Sequence, residues 1–87
     1  MASIRDLKQD INYVLGDIIE AALISQAAEP EKEAEAEKII DDSIATFDDL
    51  IARVNDKKVE KRAAHLRQVR ADLETKGSAL IERVNSL

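Results

Sequence analysis

Apolar residues recur along this chain at spacings of three and four, in three runs whose phases do not join. The middle run, from Ile39 to Val54, is the clearest. Ile40, Ser43, Phe47, Leu50, Ile51 and Val54 fall on one side of a helix, and Asp41, Asp42, Asp48, Asp49 and Arg53 on the others. Each helical residue turns about 100°, so such spacings stack on one face. The first run places Ile4, Leu7, Ile11, Val14, Leu15, Ile18 and Ala22 together and predicts a helix over 4–28. Ser3 is suited to cap it, with Asp6 reaching back as in a capping box. The third run resumes at Val59, Ala63, Leu66, Val69 and Leu73 and continues through Gly77, Leu80, Ile81, Val84 and Leu87.

Breaks between the runs come from different signals. Pro30 disfavours helix at Glu29 and suits a first helical turn, so a second helix is expected over 30–54. Glu29, Glu31 and Glu33 sit where the positive end of a helix dipole favours anions. After Val54 no Gly or Pro enforces a stop. Continuing the second seam would reach Lys58 and Lys61, whereas the apolar residues resume about 100° away. A turn at Asn55 and Asp56, both turn formers, accounts for the shift and predicts a third helix over 57–85. Without that turn, the last two helices would form one rod able to exchange between subunits.

Three helices joined by short connections, each on the order of 40 Å long, predict an all-α fold. The expected architecture is an elongated up-down-up antiparallel three-helix bundle, a single helical domain over residues 1–87. The third run carries a heptad rhythm of coiled-coil type, with Arg70 and Gly77 as its exceptions. A six-residue echo, LIARVN at 50–55 and LIERVN at 80–85, reads as two helix ends built to one local design.

Composition narrows the functions available. Tyr13 and Phe47 are the only aromatic residues, and Gly16, Gly77 and Pro30 the only Gly and Pro, which disfavours a many-stranded fold. The absence of cysteine excludes thiolate metal sites, cysteine nucleophiles and disulfides. The N-terminal MASIRDLKQD lacks the pattern of a secretory signal. The most apolar region, Tyr13 to Ile24, is too short to span a bilayer and is interrupted by Asp17 and Glu20. A soluble cytoplasmic protein with no membrane association is expected by elimination.

Candidate chemistry is sparse. His65, the single histidine, could approach Asp48 or Asp49 if the last two helices pair antiparallel, but no nucleophile accompanies it. Glu33, Glu37 and Asp41 are spaced by four, as are Glu31 and Glu35, yet no Glu-x-x-His of a di-iron bundle occurs. No phosphate loop, zinc spacing or nucleophile elbow is present either. No catalytic residue, metal ligand or cofactor is therefore expected, and the protein reads as a non-enzyme.

Two surfaces stand out instead. Gly16 is costly in mid-helix by roughly 0.5–1 kcal/mol relative to Ala. It lies beside Asn12, Ile19 and Leu23 on one flank of a broad apolar sector, with Tyr13 and Ile24 farther round. These six residues are read as a protein-contact surface, because an uncovered apolar patch tends to be an interface. The second surface is basic: Arg53, Lys57, Lys58, Lys61, Arg62, Arg67 and Arg70 follow a strongly acidic stretch. Within the chain, Asp6 and Asp10 are expected near Lys57 and Lys61. The expected function is a non-enzymatic helical bundle acting through contacts with a protein partner, with another copy of itself as the favoured candidate and nucleic acid and membrane disfavoured. The alternative is a small nucleic-acid-associated regulator using 53–70. The net charge of −5 and the lack of aromatic residues in that stretch argue against it.

Overall fold

A computed structural model describes residues 4–87. Helix α1 spans Ile4–Ala28, α2 spans Glu33–Asn55 and α3 spans Arg62–Asn85. They pack as an all-α three-helix bundle measuring 47 × 21 × 17 Å, each helix touching both others. The expected cap at Ser3 lies outside the described residues. The periodicity gives the C-terminal end of α1, Ala28, correctly.

Ion pairs and side-chain contacts fix the register. Asp10 meets Arg70 at 3.0 Å, and Val14 packs beside Gly77, so α1 and α3 run parallel. Asp42 meets Arg83 at 2.7 Å and Asp72 meets Arg53 at 2.7 Å, so α2 and α3 run antiparallel. The Val14–Gly77 contact, taken with the α2–α3 pairs, puts Ile44 about level with Ile18, and Glu37 about level with Ile24. Asp10 is therefore matched with Arg70, not with Lys57 or Lys61 as the expected register had it.

Leu7, Ile11, Leu15, Ile18 and Ala22 enter the core from α1. Ala36, Ile39, Leu50 and Val54 enter from α2, and Val69, Leu73 and Leu80 from α3. Burying each large aliphatic side chain contributes about 1.5–3 kcal/mol. On α2 the seam sits slightly off the expected line: Ile39 is buried, while Ile40, Phe47 and Ile51 are half-buried against the core. Ser43 is fully buried, and its hydroxyl donates to the Ile39 carbonyl at 2.7 Å, which satisfies it inside its own helix. On α3, Ala63 is exposed although the pattern assigns it to the seam.

Both expected helix starts in the second half need correction. Pro30 opens a separate 3-10 turn, Pro30–Lys32, and α2 begins at Glu33. Helix α3 begins at Arg62, not Lys57. Asp56 is extended, with φ −70° and ψ 114°, and its carboxylate accepts the Lys58 backbone N–H at 2.9 Å. That side-chain bond competes with a helical turn. Starting a helix at Lys57 would also place Lys57, Lys58 and Lys61 against the positive end of its dipole.

Candidate functional site

The contact residues expected on α1 divide between its two flanks. Asp10 and Val14 face α3. Turning about 100° per residue, Asn12, Gly16, Ile19 and Leu23 lie on the opposite flank, bordering α2. Leu23 is 50% exposed, Ile19 half-buried, and Asn12 exposed. A Cβ built on Gly16 would meet nothing within 4 Å, so Gly16 serves no close packing inside this chain. Close packing of that kind belongs to Gly77, where an added Cβ would lie 3.1 Å from Val14 Cγ1.

Helix α2 completes that face. Asp42, Asp49 and Arg53 bridge to α3, so the other flank of α2, with Ile40, Ile44 and Ile51, borders α1. Ile44 is 46% exposed and about level with the Gly16–Ile19 turn. It belongs to this surface, although the periodic pattern does not single it out. The combined strip carries Gly16, Ile19 and Leu23 beside Ile40, Ile44 and Ile51, with the exposed carboxylates Asp41 and Asp48 on the stripe of Ile44. One end holds Arg5 and Lys8, and the other holds Glu33 and Glu37. None of those four charged side chains pairs with another among the described residues.

Tyr13 and Ile24 sit on the other side. Tyr13, 63% exposed, lines a shallow groove of about 340 Å³ between α1 and α3 with Val14, Leu73, Gly77 and Ile81. The Asp10–Arg70 pair lines it too. Ile24, 62% exposed, stands about three turns along on Tyr13's side of α1.

Internal partners occupy much of the basic stretch. Arg53 bonds Asp72 at 2.7 Å and approaches Asp49 at 3.7 Å. Arg62 donates to the carbonyls of Asp56 at 3.1 Å and Val54 at 3.4 Å. Arg70 is held by Asp10. Lys57, Lys58, Lys61 and Arg67 remain exposed and form no ion pair among the described residues. The Arg53 guanidinium bonded to Asp72, helped by the Gln68 amide, holds the Asp72 carboxyl below the ordinary carboxylate range.

His65 does not meet Asp48 or Asp49. Its Nε2 lies 2.6 Å from the Arg53 carbonyl oxygen, so the ring donates to the exposed end of α2. Arg62 does the same one turn earlier at the Val54 carbonyl, one of those a helix end leaves open, while the Arg53 carbonyl also accepts the Asp56 backbone N–H at 3.3 Å. Among the described residues no group of three or more His, Asp or Glu side chains converges as a metal site would require. No described helix is long and apolar enough to cross a membrane. Comparison with protein-family models, curated proteins and solved structures returns no match.

Proposed function

We propose that this protein is a non-enzymatic helical bundle that works through protein contacts, with a second copy of itself as the partner. The supporting observation is the strip across α1 and α2. Leu23 and Ile44 present apolar surface to water there, beside a glycine that packs against nothing in its own chain. Covering that strip removes apolar area from water at about 25 cal/mol per Å². The reading carries with it a cytoplasmic location.

Sedimentation equilibrium across a concentration series tests it. The mass rises above the 9.7 kDa of one chain as concentration increases. A protein that stays at one-chain mass up to several hundred micromolar would contradict self-association. Leu23→Glu combined with Ile44→Glu is expected to hold the protein at one-chain mass with unchanged helical circular dichroism, because neither residue is in the core.

The nucleic-acid reading draws less support. Arg53, Arg62 and Arg70 are committed to partners within the chain, which leaves four cations on a protein of net charge −5. Titration with DNA and RNA at low salt discriminates: any binding through Lys57, Lys58, Lys61 and Arg67 must weaken steeply with salt.

A further inference from the structure

Resting on the self-association reading, we infer that two copies pair antiparallel through the α1–α2 face, with the two-fold axis crossing near Gly16. The charge pattern of the face sets the direction. Arg5 and Lys8 stand at one end, unpaired among the described residues, and Glu33 and Glu37 at the other. Lys8 lies as far before Gly16 along α1 as Ile24 lies after it, and the Val14–Gly77 contact with the α2–α3 pairs puts Glu37 about level with Ile24. A two-fold axis perpendicular to the helices at Gly16 therefore lays the basic end of each copy over the acidic end of its mate. A two-fold axis parallel to the helices would instead gather the two basic ends at one end of the dimer and the two acidic ends at the other, which is unfavourable.

Packing points to the same centre. Gly16 presents no side chain, and the space where its Cβ would stand is open. Leu23 and Ile44 flank that low point from α1 and α2, giving a self-complementary ridge and hollow, as a two-fold interface requires.

The size of the face predicts its strength. From Arg5 to Ala27 it is roughly 33 Å long at 1.5 Å per residue. Two packed helices make it roughly 20 Å wide. That gives roughly 650 Å² per copy, below the about 800 Å² per partner of a standard stable interface. A small face steered by charge is expected to give a dimer that weakens as salt rises.

Two measurements test the arrangement on the full chain, which has no native cysteine to confuse labelling. Nitroxide labels are placed by Ala45→Cys, level with the axis, or by Ala27→Cys, at one end. Dipolar distances within the dimer are expected under about 25 Å for the first and over about 30 Å for the second. Short distances for both would overturn the antiparallel geometry while leaving self-association standing. One-chain mass for the wild-type protein would overturn self-association itself.

Charge exchange is the second measurement. Arg5→Glu with Lys8→Glu is expected to weaken the dimer about tenfold, since each reversed pair is felt twice across the axis. Glu33→Lys with Glu37→Lys is expected to do the same. All four substitutions in one chain are expected to restore affinity to within about threefold. If the fourfold variant binds no better than either double variant, the two ends do not meet and the inference fails.

Discussion

Two glycines in mid-helix carry opposite burdens. Gly77 lies in the seam of α3 with Val14 Cγ1 3.1 Å from where its Cβ would be. Val14 is β-branched and stiff in a helix, so it yields little. Gly16 faces open space. Gly16→Ala is therefore expected to gain the helix-propensity difference of about 0.5–1 kcal/mol in dilute solution. Gly77→Ala should fall short of that gain by about 1 kcal/mol, because the clash offsets the propensity. Thermal unfolding of both variants at low concentration checks the order. Ser43 offers a similar contrast. Its hydroxyl is buried, but its only bond returns to the Ile39 carbonyl of its own helix. Ser43→Ala removes donor and desolvation together, so unfolding should show little loss or a gain of up to about 1 kcal/mol.

At the scale of elements, the informative segment is the connection from Asp56 to Lys61. Val59 is half-buried there while its neighbours Lys58 and Glu60 are exposed. Arg62 and His65 reach back from the first turn of α3 to the last carbonyls of α2. His65→Ala is expected to destabilise the protein by about 1 kcal/mol, the net worth of one partly buried hydrogen bond, in urea unfolding at neutral pH. The reversal of the chain after Val54 is legible in the sequence because the apolar stripe changes phase. The start of α3 is not legible, because no Gly or Pro marks it and tertiary bonds from Arg62 and His65 set the junction. The C-terminal end of α1 is legible because its pattern is unbroken up to Pro30. The role of His65 could not be read either, since its partner is a backbone carbonyl rather than a titrating side chain. Asp72 adds a pH dependence at the α2–α3 seam. Its folded pKa is lowered, chiefly by the Arg53 bond, so its contribution is complete above the ordinary aspartate value of about 4. The contribution is lost as pH falls through that value toward the lower folded one. Asp72→Asn should flatten the acid limb of stability between about pH 4 and the onset of acid unfolding, and leave the slope from pH 6 to 8 unchanged.

Across the whole molecule, the six-residue echo acquires a physical meaning. Leu50 and Leu80 are both buried, and the arginine three residues after each crosses to an aspartate on the neighbouring helix. Arg53 reaches Asp72 and Arg83 reaches Asp42, both at 2.7 Å. The two matching segments thus latch α2 and α3 reciprocally near opposite ends of their seam. Such pairs stand in reach of solvent and are screened by it, so the hydrophobic core supplies stability and the pairs fix register. The candidate surface was half legible. Gly16, Ile19 and Leu23 stand out on α1, whereas Ile44 gains its place only once α2 is set beside them. Tyr13 and Ile24, read with them from sequence, belong to the flank toward α3. The most direct test of this division is a concentration series of amide ¹H–¹⁵N spectra. Self-association through the α1–α2 face predicts progressive shifts concentrated at Asn12, Gly16, Ile19, Leu23 and Ile44. Shifts centred instead on Tyr13, Gly77 and Ile81, or spectra that do not change up to several hundred micromolar, would contradict it.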